Sequence, residues 1–334
     1  MLTIEVRNVN EALPIALLHL KENGVSRDSR DGPVLEYPEP VATTYLFPEE
    51  RVLFSESRDA NPFFHLFEAL WIIHGRNDVK FLTHFNKQMA QYSDDGVTFH
   101  APYGYRLRAH FGEPGFHDQI SIVIDKLREN PNDRQAVLQI YDTNVDLSVK
   151  TKDVPCNDMV FLKIRDNKLH MTVCCRSTDV LWGAYGANVV QFSMLQEYIA
   201  GNIGCFMGTY TQISDSFHVY TEKDVYKKCK DIPLLSDNNP YYHMGAYPMF
   251  HEATPAEFDH DLSLMFHQYD HYGDIDATYA KFRTPFFIDV VLPMWAAWQT
   301  HKSGSTDTAI AWASHIDAED WRIACTDWLR RRMK

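Results

Sequence analysis

The stretch VPCNDMVFLKIRDNKLHMTVCCRSTDVLWGAYGAN, Val154 to Asn188, decides how this chain folds and what chemistry it carries. Its middle, MVFLKIRDNKLHMTVCCR, reads as two strands joined at Asp166-Asn167, a pair of residues at home in a tight turn. That pattern predicts a β-hairpin. The two ends fit no ordinary core strand. Cys156 follows a proline, Arg176-Ser177 closes the second strand, and WGAYGAN sets two glycines among aromatic rings. Pro155 marks a turn and so points to an exposed thiol, and a guanidinium near a thiol favours the thiolate. Arg176 presents a planar fork of donors and Ser177 a hydroxyl, a pair suited to a phosphate. Trp182, Gly183, Tyr185 and Gly186 together have the composition of an irregular loop that wraps a planar ligand. Each feature alone also has a plainer reading: a buried cysteine is a small hydrophobe, and an arginine is usually a solvated surface residue.

Outward from this stretch, residues 9–23 predict a helix stopped by Gly24, and SRDSRDGPV a polar loop containing Arg30. VATTYLF and RVLF read as a strand pair turned at Pro48. NPFFHLFEALWIIHG predicts a helix capped by Asn61, with Pro62 in its first turn and Gly75 as its stop. Positions 63, 67, 70, 71 and 74 recur there at helical spacing, and Glu68 falls within the apolar face. A buried carboxylate is costly unless paired or protonated, and a raised pKa suits proton shuttling. GFHDQISIVIDKLREN predicts another helix and QAVLQIYD a strand, with Arg134 in the polar loop before it. After the hairpin, residues 189–203 form an apolar helix ended by Gly201 or Gly204. CFMGTYTQISDSFHVY is mostly strand, in which His218 and Tyr220 alternate onto one side. From about residue 254 the signals are mainly helical, and PFFIDVVLPMWAAWQTHK suggests a kink at Pro293. No repeat, low-complexity tract or linker divides the chain, so one α+β domain with a helical C-terminal extension is expected.

Composition narrows the function. The 334 residues are 45% hydrophobic and 23% charged, which is globular. A net charge of -13 opposes a nonspecific nucleic-acid binder but not a small anionic ligand held by a few arginines. No apolar run reaches a membrane span, and MLTIEVRNVNEALPI lacks the apolar centre of a signal peptide. The six cysteines form no C-x-x-C pair, and adjacent Cys174 and Cys175 would point to opposite faces of a strand. Reduced thiols in a cytoplasmic compartment are expected.

FEALWIIHG, APYGYRLR, PC, RS-x-D with its arginine twenty residues after the cysteine, GAYGAN and FHVY follow one another in order. Together they resemble the thymidylate synthase family, including its nucleotide hydroxymethylase branch, from about Arg30 to Tyr220. The resemblance implies a mixed β-sheet packed with helices and a homodimer formed through the sheet. It implies a single catalytic domain over 1–334, family-divergent and helical from about residue 235. It also implies a one-carbon transferase. The partners would be a pyrimidine nucleoside monophosphate and 5,10-methylenetetrahydrofolate as co-substrate, with no metal, nucleic acid or membrane. Cys156 matches the nucleophile that adds to C6 of the base, making C5 a carbanion equivalent. Arg30, Arg176 and Ser177 match the phosphate ligands, and Arg134 matches an arginine that crosses to the partner's phosphate. Asn188 matches the residue at the base edge; His218 and Tyr220 match the ligands of the ribose 3'-hydroxyl. Glu68, Tyr103 and Asp179 match the proton-relay and folate-binding set, with Met89, Tyr92, Trp182 and Gly183 on the folate side.

The chain departs from the synthase pattern at several points. Gln135 stands where synthases carry a second arginine, and Asn157 where they carry histidine. The GAYGAN segment holds one extra residue. Met89 or Ala90 replaces the first tryptophan after the LLW-type helix, and the chain ends DWLRRRMK instead of in a short apolar tail. The last two features favour water at the exocyclic methylene on C5, since excluding water needs a closed apolar lid. The resemblance therefore favours hydroxymethylation over methylation, a viral trait that would place the enzyme in host cytoplasm. An amide at Asn188 can accept from N3-H and donate to O4 of uracil, whereas the viral cytosine enzymes carry aspartate. Thymidylate synthesis and hydroxymethylation of dCMP or CMP are the alternatives. A cysteine hydrolase using one of the sixteen histidines, and a nucleotide-binding dimeric scaffold without catalysis, are the readings from other classes.

Overall fold

A computed structural model describes residues 1–112, 117–234, 239–276 and 281–333. The strands are β1 (Leu2–Val6), β2 (Val25–Arg27), β3 (Val34–Glu36), β4 (Val41–Tyr45), β5 (Val137–Gln139), β6 (Asn157–Arg165), β7 (Lys168–Asp179) and β8 (Phe206–Tyr220). The expected hairpin is β6–β7. Asp166 and Asn167 both take left-handed backbone, φ 50° and 58°, as a two-residue turn of this hand requires. The sheet runs β1-β4-β8-β7-β6-β5, with β3 against β8 and β2 beyond it. It is mixed: β7 and β8 are parallel, as are β1 and β4, and the other pairs are antiparallel.

Besides the single α-turn Tyr103–Tyr105, the α-helices of the described residues are α1 (Val9–Asn23), α2 (Pro62–His74), α3 (Val79–Phe85), α4 (Gln119–Glu129), α5 (Val189–Ile203), α6 (Asp224–Cys229), α7 (Pro255–Tyr272), α8 (Leu292–Lys302), α9 (Thr306–Ala313) and α10 (Glu319–Arg330). Helix α2 starts and stops as its sequence dictates. The Asn61 side chain accepts from Phe64 N, and Gly75 at φ 85° ends it. All its residues from Pro62 to Ile73 are buried, because α5 packs along it on one side and the C-terminal helices on another. Phe63 meets Trp298 and Trp328 at ring distances of 5.5 and 5.7 Å, and Phe67 meets Trp295 at 5.6 Å. That burial desolvates Glu68. Helix α5 carries the chain from β7 back to the parallel β8. Gly204, φ 86°, ends it; Gly201 stays within the helix against the Phe250 ring.

RVLF is not a strand. Residues 51–54 are irregular, and side chains take the hydrogen bonds a neighbouring strand would have made: Val52 N donates to Tyr241 Oη at 3.1 Å and Phe54 N to Asn10 Oδ1 at 2.9 Å. β4 pairs instead with β1 and β8, and Leu46 and Phe47 lie beyond its end, exposed. The kink near Pro293 is present as π-helical turns over Phe286–Val291, directly before α8. Gly115 and Phe116 at the start of the expected GFHDQ helix, residues 235–238 at the expected start of the family-divergent part, and Lys334 lie outside the described residues. Among the described residues no helix is long and apolar enough to cross a membrane, and all six cysteines are unpaired.

Candidate active site

The hairpin brings the two ends of the quoted stretch together. Arg176 N donates to Cys156 O at 2.9 Å. The Arg176 side chain folds back over the same turn: Nε donates to Pro155 O at 2.8 Å and Nη2 to Val154 O at 3.1 Å, leaving Nη2 3.9 Å from Cys156 Sγ. The pairing register then jumps from Asn157–Cys175 to Met159–Cys174, so Asp158 is the extra residue of a β-bulge. Bulges beside a site re-aim side chains. Burial raises the Cys156 thiol above its ordinary value; Arg176 and Arg30 oppose the rise, while Asp153 and Asp158 add to it. Arg176 thus favours the thiolate as expected, while desolvation, which the sequence did not show, acts against it and is the larger effect.

Asn157, fully buried, donates from Nδ2 to Tyr103 Oη at 2.9 Å, and its Oδ1 has no protein partner. Burial and the neighbouring Cys156 push the Tyr103 phenol up. The Arg30 loop reaches the same place. Arg30 pairs with Asp31 at 3.3 Å and acts electrostatically on Cys156, Tyr92 and Tyr220. Tyr92 ends the 3-10 turn Lys87–Tyr92, which also carries Met89, packed against the core, and Ala90, exposed.

The parallel β7–β8 pairing aligns the next group. Ser177 faces Ser216 and Asp179 faces His218. His218 meets the Tyr220 ring edge-on at 5.4 Å, so the two do share a side. Asp179 Oδ1 accepts from Trp182 N at 2.6 Å and caps the segment Val180–Asn188. Its carboxyl is raised by burial, against the pull of that N–H, His218 and Arg58. The segment is a π-helix with Tyr185 off helical geometry, a widened winding that accommodates an extra residue. Gly183 and Asn188 adjoin: a Cβ on Gly183 would lie 3.7 Å from Asn188 Nδ2 and 3.3 Å from Thr178 Oγ1. Asn188 is itself buried.

Three outcomes were not legible beforehand. Tyr185 does not face a ligand: it is buried, with its hydroxyl 2.7 Å from Thr43 Oγ1. Trp182 is 50% exposed, and the buried Arg58 covers one of its faces at 4.3 Å while Arg58 Nε donates to Leu181 O at 2.5 Å. Glu68 has a buried partner, Gln191. Burial pushes the Glu68 carboxyl up to about 7, a hydrogen bond with Gln191 opposes the rise, and Glu68 Oε2 and Gln191 Oε1 have no protein partner. The sequence carried one signal for Gln191, a polar residue three positions after Asn188 in an apolar helix. It carried none for Arg58. Arg134 is not brought into the cluster. It is exposed in the turn before β5, and β5 is separated from β7 by β6.

The assembled site offers a thiol beside a guanidinium, a buried carboxyl that titrates near neutrality, a buried amide and one open indole face. Among the described residues the side chain recorded beside Cys156 Sγ is Arg176, not a histidine.

Comparison with known proteins shows what the chain is similar to. The family model described as thymidylate synthase matches residues 20–258. The chain is 44% identical to deoxyuridylate hydroxymethyltransferase of Pseudomonas phage M6, over 99% of this chain and 95% of that protein. It is 43% identical to deoxyuridylate hydroxymethyltransferase of Bacillus phage SP01, over 58% of this chain and 52% of that protein. A putative thymidylate synthase of Methanosarcina barkeri (strain Fusaro / DSM 804) is 40% identical over 42% of this chain and 61% of its own length.

Proposed function

The chain belongs to the thymidylate synthase family, and from that we infer that it hydroxymethylates C5 of deoxyuridylate. It is a one-carbon transferase. The observation that carries the choice of reaction is the 44% identity to the phage M6 enzyme over 99% of the chain, which extends past residue 258, where the family match stops.

The co-substrate methylenetetrahydrofolate supplies the one-carbon unit when bound. The residues present suit its flat ring: Trp182 has one face held by Arg58 and is half exposed, and the Asp179 carboxyl stands three positions away. Arg30, Arg176 and Ser177 hold the nucleotide phosphate. His218 and Tyr220 take the ribose hydroxyl, and Asn188 pairs with the uracil edge. Cys156 Sγ, ionised with help from Arg176, forms a bond to C6; the C5–C6 π pair moves toward C5 and O4, where it makes C5 nucleophilic. Once C5 has taken the carbon unit and given up its proton, and tetrahydrofolate has left with the electron pair of the broken carbon–nitrogen bond, water adds to the exocyclic methylene. Glu68 accepts the proton of that water, and its titration near 7 suits both directions of transfer. Departure of Cys156 from C6 restores the aromatic base. Met89 is half-buried against the core and, like Ala90, has no ring, so neither supplies the flat apolar cover that keeps water out.

The same reading pairs two copies through the open sheet face. Val137 and Phe161 lie opposite each other there, 39% and 41% exposed, and the row continues through Thr172, Thr211 and Thr44. Arg134 borders this face and would complete the partner's phosphate site.

The test is the product formed from dUMP and methylenetetrahydrofolate. Hydroxymethylation releases 5-hydroxymethyl-dUMP and tetrahydrofolate. Thymidylate with stoichiometric dihydrofolate, distinguished by ultraviolet absorbance, would overturn the reading.

A further inference from the structure

Arg331 and Arg332 do not lie loose over the site. Arg332 Nη2 and Nη1 grip Asp59 Oδ2 and Oδ1 at 2.7 and 3.1 Å, and Arg331 Nη2 and Nε reach Asp59 Oδ1 at 3.0 and 3.1 Å. Arg330 pairs with Asp327 at 3.2 Å. The Arg332 guanidinium is also fixed from behind, stacked 3.5 Å over the Trp328 ring and donating to Trp328 O at 3.0 Å. Planar forks held on two sides lose little further freedom on pairing.

Asp59 adjoins Arg58, and the two side chains serve opposite directions. Asp59 takes the C-terminal arginines, while Arg58 donates to Leu181 O and covers Trp182. Asp59 sits at φ 48°, a left-handed conformation that costs energy unless surrounding contacts hold it. Arg58 is buried, and a Cβ on Gly186 would stand 3.1 Å from its Nη2, so the guanidinium fills a space left by the glycine. A continuous set of contacts therefore runs from Trp328 through Arg332, Asp59 and Arg58 to Trp182.

We propose that Arg331 and Arg332, acting through Asp59, fasten the C-terminus to the 58–59 segment and so hold Arg58 against Trp182, fixing the indole face that receives the folate ring. Asp59 is a positioning residue. The proposal rests on the reading that Trp182 stacks on folate. It assigns the terminal arginines a structural partner in place of the free charge that their sequence suggested.

The experiment uses the full chain with dUMP bound and measures tetrahydrofolate affinity by calorimetry. Asp59→Asn keeps the shape and tolerates left-handed backbone. It should weaken tetrahydrofolate about fivefold, the upper range for a partly exposed ion pair, and leave dUMP affinity within about twofold. Arg331→Ala with Arg332→Ala should give the same loss, and adding Asp59→Asn should add nothing. Trp182 emission, isolated by difference against Trp182→Phe, should shift to the red in Asp59→Asn as the indole loosens. If Asp59→Asn proves poorly folded by thermal melting, Arg332→Gln replaces it. Unchanged tetrahydrofolate affinity in Trp182→Ala would refute the stacking reading. A loss in Trp182→Ala with none in the Asp59 and arginine variants would refute the fastening alone.

Discussion

The Arg176 guanidinium stands 3.9 Å from Cys156 Sγ while its Nε and Nη2 hold the carbonyls of Pro155 and Val154. One side chain therefore shapes the turn that presents the thiol and sets the charge beside it. Arg176→Ala should weaken nucleotide binding about ten- to a hundredfold, the worth of a charge-assisted contact. The nucleoside lacking a phosphate should bind almost as before. The thiol should also alkylate with a pH profile moved upward, since Arg176 is the strongest influence opposing its raised pKa. Calorimetry and iodoacetamide kinetics check the two effects; equal losses for nucleotide and nucleoside would rule out the phosphate role.

Glu68→Gln should slow product formation far more than it weakens dUMP binding, measured by single-turnover kinetics and calorimetry. It should also change how stability depends on pH. In the folded chain Glu68 titrates at about 7, against 4.5 for an unhindered glutamate. Between these values the folded state binds more protons than the unfolded one, so stability falls as pH rises from about 4.5 to 7. The loss is roughly 3 kcal/mol for a shift of this size. Glu68→Gln removes that loss, so its melting temperature should exceed the parent's at pH 8 and converge with it near pH 4.5. Parallel pH profiles for the two proteins would show that Glu68 is not buried as described.

Asn188→Asp should shift preference from dUMP toward dCMP. A carboxylate accepts from the cytosine amino group and repels O4 of uracil. Mass spectrometry of the product from an equimolar nucleotide mixture checks this. An unchanged uracil preference would mean that the base edge is read by another group.

Cys156→Ser should abolish product formation while keeping nucleotide binding within a few-fold, because a serine hydroxyl is a far weaker nucleophile. Arg134→Ala should be nearly inactive for a different reason: in the proposed dimer it would lose a phosphate contact in the partner's site. Mixing the two inactive proteins should restore activity, since one site of the heterodimer keeps both residues. No recovery after demonstrated subunit exchange would count against a shared site.

The hairpin, its turn at Asp166-Asn167 and the limits of α2 at Asn61 and Gly75 were legible in the sequence. Turn chemistry, capping and periodicity act over a few residues, so the residues that decide them are adjacent in the chain. The hairpin also explains why Cys156 and Arg176 could be paired on paper, because its two strands return the chain to its starting point. What only the tertiary structure decided depends on which surfaces meet. Residues 51–54 form no strand and instead donate backbone hydrogen bonds to the Tyr241 and Asn10 side chains. The Cys156 thiol is raised because desolvation outweighs a guanidinium that the sequence showed, and burial is a property of the whole packed domain. Tyr185 turned into the core, and Arg58 took the place beside Trp182. Asp59 and Arg332 lie 273 residues apart, and no periodicity or spacing relates them. Their ion pair exists because the C-terminal helices return across α2, and only the packed apolar faces of those helices determine where the last arginines arrive.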